Sequence, residues 1–182
     1  RDGETETDKM PVTYESEKGL IYGTVARWGR SEQANAGVTV TLNGTKTTVT
    51  DPKGYFCFED CEPGEYTITL TSPNYYTRTE IRCTLREDEG IEVSSSTSKL
   101  DIYPGDFDGA GGITISDTDF YLKNYVGTAQ NSKMYQGEDG QALFDAVNFY
   151  DEPGATIEYI NINDLYVMLQ CEGKKYNDWV IQ

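Results

Sequence analysis

The sequence predicts two parts in one chain: an all-β sandwich, then a small all-α part built from duplicated loop–helix units. Three observations predict this. Residues 18–100 alternate apolar and polar side chains in short runs separated by turn chemistry. Beyond them the apolar spacing becomes helical. The phrase Ile113-x-Ile115-x-Asp117 then returns as Ile160-x-Ile162-x-Asp164, and repetition of that kind marks an internal duplication.

The polar residues 1–16, rich in Glu and Thr, read as a flexible leader. Strands are expected at 20–27, 38–42, 46–50, 55–59, 65–71, 77–86 and 91–99. Val38, Val40 and Leu42, and again Ile81, Cys83 and Leu85, show the period of a half-buried strand. Asn43-Gly44, Asp51-Pro52-Lys53-Gly54 and Pro63-Gly64 supply the turns. Many short antiparallel strands at this spacing describe a β-sandwich over residues 17–101. The run Ser94-Ser95-Ser96-Thr97-Ser98 falls inside the last strand or at its edge. The short junction after it implies that the two parts are held close.

Gly54-Tyr55-Phe56-Cys57-Phe58 and Pro63-Gly64-Glu65-Tyr66, with Gly23-Thr24-Val25 and Ala36-Gly37-Val38-Thr39-Val40 upstream, resemble the prealbumin-like repeat of carboxypeptidase regulatory and collagen-adhesin B-type (CnaB) domains. The resemblance spans most of residues 19–86. It implies core positions for Phe56 and Phe58, a turn at Pro63-Gly64 and a buried ring at Tyr66. Some relatives carry a Lys–Asn isopeptide bond, but this sequence offers no matching Lys, Asn and acid set.

The segment Asp106-Phe107-Asp108-Gly109-Ala110-Gly111-Gly112-Ile113-Thr114-Ile115-Ser116-Asp117 has the layout of a calcium loop that runs into a helix. Calcium takes six to eight oxygen ligands, and a short loop supplies them by folding around the ion. Asp106 and Asp108 are the leading carboxylates, and Gly111 allows the sharp turn. The Gly112 carbonyl and Thr114 follow. Asp117 closes the set from the first helical turn, where a carboxylate also suits the helix dipole. Ala110 stands where a third Asp or Asn is usual, so affinity falls or a water substitutes.

After Asp117, the residues Phe120, Tyr121, Leu122, Tyr125 and Val126 have helical spacing that Gly127 ends. A polar segment, 128–140, follows. A second amphipathic helix is expected from Ala142, Leu143, Ala146, Val147 and Phe149, and a third after Asn161. The leading half of the second loop is irregular. A gapless match places Pro153, Ala155 and Ile157 where acids belong; a wider loop brings in Asp151 or Glu158. The second ligand set is then Asp151, Asn161 and Asp164. It is either an irregular calcium site or a loop that kept its fold and lost its ion.

Two calcium-loop-plus-helix units joined by a helical linker resemble a dockerin, the module that plugs cellulosomal proteins into cohesins. The resemblance covers residues 102–182, with a linker longer than usual. A β-sandwich directly before it resembles the X-module–dockerin tandems of cellulosomal scaffoldins and anchoring proteins, nearer the ruminococcal branch than the clostridial one. The resemblance implies a non-catalytic assembly role outside the cell, a cohesin as partner, and calcium in the first loop and conditionally in the second. It implies a partner face of Ile115, Ser116, Phe120, Lys123 and Asn124 in the first unit. In the second unit the face is Ile162, Asn163, Tyr166, Val167 and Gln170. The usual Ser-Thr pair is absent, which implies a more apolar contact.

Composition narrows the alternatives. The formal net charge is −16 and the sequence pI about 4.2, which argues against nucleic acid and anionic membranes as partners. With no histidine in 182 residues, the commonest general base is missing. No apolar run approaches the length of a bilayer span. No signal-peptide pattern is present, and the start at Arg1 reads as a segment of something longer. Cys57, Cys61, Cys83 and Cys171 fit no zinc spacing. Cys61 and Cys83 should face a core, as a disulfide or as two free thiols.

Two rival classes remain. Tyr14, Tyr75, Tyr76 and Trp28 could line a sugar-binding face, although a chain with 14 tyrosines places several on strands simply because the ring fits there. The carboxylate pairs Glu59/Asp60 and Asp151/Glu152 could serve glycosidase chemistry. They sit in expected turns with no cleft around them, and neither an enzyme nor a small-molecule substrate is expected.

Overall fold

The computed structural model describes residues 18–87, 89–126, 144–155 and 159–181. Nine strands and two helices are defined among them. The strands are β1 (Gly19–Arg27), β2 (Thr39–Leu42), β3 (Lys46–Val49), β4 (Tyr55–Cys61), β5 (Gly64–Thr71), β6 (Arg78–Leu85), β7 (Gly90–Glu92), β8 (Leu100–Ile102) and β9 (Trp179–Ile181). The helices are α1 (Ile115–Asn124) and α2 (Ile162–Leu169). The expected leader at 1–16, Gly127, the segment 128–140, Ala142, Leu143, Ile157 and Glu158 lie outside the described residues.

Two sheets form. One has β1 at its centre, flanked by β4 on one side and by β7 and β8 on the other; the second runs β3-β2-β5-β6-β9. Alternation builds the space between them. Ile21 and Val25 from β1, and Phe56 and Phe58 from β4, are buried. So are Val40 and Leu42 from β2, Ile68 and Leu70 from β5, and Ile81, Cys83 and Leu85 from β6. Phe56 and Phe58 therefore hold the core positions expected of them. Tyr66 does not become a fully buried ring: it is half-buried, and its hydroxyl donates to the Glu62 carbonyl at 2.6 Å. All four cysteines are free, so Cys61 and Cys83 are buried thiols.

Not every pairing is antiparallel as expected. β1 runs parallel to β7 (Ile21 opposite Ile91) and to β8 (Val25 opposite Leu100). β9 runs parallel to β6. The strand expected at 91–99 is also cut short. Ser94 turns its hydroxyl inward, accepting from the Thr24 N–H at 2.8 Å and donating to the Thr24 carbonyl at 2.9 Å. A side chain thus takes the place of a ladder pair. The chain then turns, with Ser95 bridged to Ser98, and resumes as β8.

The helices start with matched caps. Asp117, at the third position of α1, accepts from the backbone of Thr114; Asp164, at the third position of α2, accepts from the backbone of Asn161. Each is a capping box, which satisfies otherwise orphaned N–H groups. The amphipathic helix expected through Phe149 ends earlier. Phe144 and Asp145 are helical, but Ala146 and Val147 form a turn. The Phe149 N–H then donates to Asp164, not back along a helix.

The buried side chains of both parts join one hydrophobic cluster. It runs from Ile21 and Phe56 through Leu100 and Ile102 to Tyr121, Phe149 and Met168. The boundary expected between residues 101 and 102 falls inside β8, a strand bonded to β1. Packing between the two parts is therefore continuous.

Candidate functional site

The first loop gathers three carboxylates. Oxygen atoms of Asp106, Asp108 and Asp117 lie within 4.8 Å of one another. Asp106 and Asp117 are buried and Asp108 is exposed. The loop is shaped from within. Gly111 sits at φ +85°, a conformation that favours glycine, and its N–H donates to Asp106 Oδ2 at 3.2 Å. The Ala110 N–H donates to Asp108 Oδ1 at 2.9 Å. Asp117 Oδ1 accepts from the Phe107 N–H at 2.9 Å, and Oδ2 accepts from the Thr114 N–H and hydroxyl at 3.0 and 2.7 Å.

Asp106 Oδ1 is different. It is buried and has no hydrogen-bond partner. A desolvated carboxylate oxygen left unpaired is costly unless a cation meets it. Burial pushes the Asp106 carboxyl above its ordinary value; the Gly111 N–H opposes this and the Asp117 charge adds to it. Asp117 goes the other way. Burial alone would raise it, but the bonds from Thr114 and Phe107 hold it below the usual range. Three hard oxygen donors around one orphaned atom fit a calcium-sized cation.

The second loop repeats the frame but has no acid at its two leading ligand places. Asp164, fully buried, accepts from the Phe149 N–H at 2.8 Å, the Tyr150 N–H at 3.0 Å and the Asn161 N–H at 2.8 Å. Burial outweighs these bonds and pushes its carboxyl up to about 6. Phe149 therefore corresponds to Phe107, Asn148 to Asp106 and Tyr150 to Asp108. This register corrects the gapless match at Pro153, Ala155 and Ile157, because the second loop is longer than the first. Asp151 is not turned toward Asp164. Its carboxylate is bound by Arg30 Nε at 2.8 Å and the Ser31 N–H at 2.6 Å. The Asn161 side chain accepts from the Asn163 N–H and donates to Glu152 at 2.8 Å. Among the described residues, Asp151, Asn161 and Asp164 are thus not brought together as the first three acids are.

The expected partner residues divide. Ile115 (74 % exposed), Phe120 (45 %), Ile162 (64 %) and Tyr166 (62 %) lie outside the core, as do Ser116, Lys123, Asn124, Asn163 and Gln170. Lys123 pairs with Asp119 one turn back. Val167 is a correction: it is buried, packed where the turn at Gly29 meets α2. Two residues were missed. Leu122 and Leu169 are exposed and lie two helical turns beyond Ile115 and Ile162, a spacing that was visible in the sequence.

The suggested sugar-binding rings are otherwise engaged. Tyr75 is buried, Tyr76 stacks on Tyr176 at 4.7 Å, and Trp28 meets Tyr103 edge-on at 5.8 Å. Tyr14 lies outside the described residues.

Comparison with known proteins bears first on the sandwich. Residues 21–97, most of the sandwich, match the model of the carboxypeptidase regulatory-like domain. Over an alignment of 139 positions that covers 70% of this chain, it is 30% identical to serine-aspartate repeat-containing protein F of Staphylococcus epidermidis. Over an alignment of 124 positions that covers 61% of the chain, it is 32% identical to serine-aspartate repeat-containing protein D of Staphylococcus aureus (strain Newman). The chain spans 8% and 9% of the length of those two relatives. Among solved structures, it is similar to a chain in a crystal structure of an N-terminal interface mutant of the type II cohesin–X-dockerin complex from Acetivibrio cellulolyticus. That likeness has a TM-score of 0.63 and 25% identity, covering 85% of this chain and 96% of the other. A C-terminal interface mutant of the same complex gives 0.60 and 26% with the same coverage. The share covered exceeds what the sandwich alone provides, so the likeness reaches into the helical part.

Proposed function

We propose that this chain is a non-catalytic assembly module that works outside the cell or at its surface. In this reading residues 17–101 are an X-module-like sandwich. Residues 102–182 are a dockerin that binds a cohesin-type protein when the first loop holds calcium. The observation that carries the reading is the pair of matched loop–helix units, one of which closes three carboxylates around the orphaned Asp106 oxygen. The likeness to chains of cohesin–X-dockerin complexes supports it.

Asp106, Asp108 and Asp117 would hold the ion, with the Gly112 carbonyl and Thr114 as further oxygen donors. A bound cation would neutralise like charges that now repel and would fix the loop ahead of α1. Ion binding restricted to the folded state stabilises it by about 4 kcal/mol when free calcium is about a thousandfold above its dissociation constant. The partner face is the exposed stripe of Ile115 and Leu122 on α1 and Ile162, Tyr166 and Leu169 on α2. Desolvating such side chains is the usual source of hot-spot energy. The sandwich braces these helices through the shared core.

A second reading rests on the other comparisons. The regulatory-like sandwich and the likeness to serine-aspartate repeat proteins suit a surface binding module in which the sandwich, not the helices, meets a protein or glycan. Calorimetric titration separates the two. The chain is titrated with a type II cohesin and, in parallel, a type II dockerin, in calcium and then in EDTA. The assembly reading expects tight cohesin binding in calcium, lost in EDTA and in the Asp106→Ala/Asp117→Ala variant. Binding to the dockerin instead, or retention on insoluble polysaccharide with no cohesin binding, overturns it.

A further inference from the structure

Away from the loop–helix units, the described residues of the sandwich enclose an open cavity of about 530 Å³. Its floor is the face of the first sheet turned away from the core, where Thr24 of β1 pairs with Tyr55 of β4. The turn before β4 contributes Asp51 and Lys53, the loop after β1 Glu32, and the loop before β8 Lys99. Bonds from side chain to backbone fix each wall. Asp51 Oδ1 accepts from the Lys53 and Tyr55 N–H groups at 2.8 and 2.9 Å. Asn35, buried, donates to the Ser31 and Glu32 carbonyls at 3.2 and 3.3 Å and accepts from the Arg27 N–H at 2.8 Å. Ser94 holds both backbone groups of Thr24, and Ser95 Oγ accepts from the Ser98 N–H at 3.1 Å just before Lys99. The cavity is therefore shaped before anything enters it, which lowers the cost of binding.

Its chemistry selects an occupant. Tyr55 is 46% exposed, and the Tyr22 ring lies beside it with centroids 6.4 Å apart. Around this aromatic ledge stand two acids and two lysines, with Lys99 3.7 Å from Glu32. The local charge is balanced, in a chain whose formal net charge is −16. Neither a polyanion nor a polycation gains from such a balance. A peptide added as a strand is unsuited as well. Both backbone groups of Tyr55 belong to the Asp51 turn, its N–H bonded to Oδ1 and its carbonyl to the Asp51 N–H at 3.0 Å, so the main-chain pairing that such a peptide needs is taken. An uncharged ligand with an apolar face and hydroxyl edges meets every part of the lining. We propose that this cavity binds a neutral oligosaccharide, with one sugar ring on Tyr55 and its hydroxyls bonded by Asp51, Glu32 and the two lysines. No residue of the site belongs to the loop–helix units, so the inference rests on neither calcium nor a cohesin.

Titration of the whole chain, followed by NMR, tests it. The probes are the uncharged hexasaccharides of β-1,4-linked glucose, xylose and mannose, with the hexamer of galacturonic acid as the charged comparison. At least one neutral probe should bind with a Kd of about 1 mM or tighter, in calcium and in EDTA alike. The amide signals of Thr24, Lys53 and Tyr55 should shift as it does. Tyr55→Ala should weaken binding at least about tenfold while lowering the melting temperature by no more than about 5 °C. Tyr55→Phe, which keeps the ring, should retain most of the affinity. No binding of any neutral probe, binding of the acidic hexamer alone, or undiminished binding by Tyr55→Ala would overturn the proposal. Should the alanine variant not fold, the wild-type shifts decide: changes that spare Thr24, Lys53 and Tyr55 would overturn it.

Discussion

Phe107 and Phe149 occupy the same register in the two loop–helix units, and their rings meet with centroids 6.2 Å apart. Each donates its own backbone N–H to the aspartate that caps the following helix. The Tyr121 ring stacks against both, at 5.6 and 5.2 Å, and its hydroxyl donates to the Val147 carbonyl at 2.6 Å. From the sandwich, Tyr75 meets Phe149 edge-on at 5.6 Å. The duplicated rings thus form the seam where the two units and the sandwich share a core. Phe149→Ala should cost about 3–5 kcal/mol in urea unfolding. The whole chain should shift together, seen equally by far-UV circular dichroism and by tryptophan fluorescence. A loss below about 1 kcal/mol, or two separated transitions, would show that the seam does not couple the parts.

The sequence made some of this legible and hid the rest for definite reasons. Val38, Val40 and Leu42 alternate because each second side chain enters the core, and the same local rule revealed β1, β2, β4, β5 and β6, whereas β3 buries no side chain. The Asp117 and Asp164 phrases were readable because a capping aspartate must stand at a fixed distance from its helix. The partners of β1 beyond β4 were not readable. β7, β8 and β9 are three residues each, too short for a period, and their pairings join residues far apart in the chain. Ser94 looked like turn chemistry, yet its hydroxyl is buried against Thr24. The second loop was misaligned because its extra length moved Asn148-Phe149-Tyr150 away from a gapless match. Arg30 gave no local signal at all, since its acceptors lie more than a hundred residues later.

Acidification should expose the Arg30–Asp151 pair. Burial would raise the Asp151 carboxyl, but hydrogen bonds from Arg30 and the Ser31 N–H outweigh it and hold the group below its ordinary 3.8. A carboxyl lowered in the folded state stabilises above its unfolded value and loses that contribution as pH falls through the lower folded value. The stability gap between wild type and Asp151→Asn should therefore be constant from pH 7 to about pH 5 and shrink below about pH 4. Comparing the two proteins cancels the opposite drift from Asp164, whose carboxyl is raised. Thermal melts at matched ionic strength measure the gap. A gap that closes near neutral pH would rule out this assignment.

Gly29 marks how closely the sandwich approaches the helices. It sits at φ +89°, and a Cβ there would lie 2.3 Å from Val167 Cγ1 and 2.6 Å from the Phe149 carbonyl oxygen. Val167 could rotate, but the carbonyl belongs to a backbone already fixed by Asp164. Gly29→Ala should cost about 2 kcal/mol or more. Gly44→Ala is the control, since Gly44 also has positive φ but open space around it, so it should cost about 1 kcal/mol from conformation alone. Equal losses in chemical denaturation would mean that the close approach contributes nothing.

Tyr176 fastens the tail that follows α2. Its ring lies between Tyr76 and Tyr103, with both centroids at 4.7 Å, and the Arg78 guanidinium sits 5.0 Å from its centroid. Its hydroxyl accepts from the Tyr103 N–H and donates to the Tyr76 carbonyl, each at 2.8 Å. Burial pushes the phenol far up, so the proton needed for the second bond is retained at ordinary pH. Farther along, Trp179 Nε1 donates to the Val93 carbonyl at 2.7 Å, and β9 lies against β6. Tyr176→Phe keeps the stack but strands a buried N–H and carbonyl, which costs about 1–3 kcal/mol. Tyr176→Ala also removes the ring and should cost more, about 3–5 kcal/mol. If the tail clasps the sandwich, limited proteolysis should cut after Lys174 or Lys175 in the alanine variant well before it does in wild type. Cleavage at the same rate in both would mean that β9 holds the tail without the tyrosine.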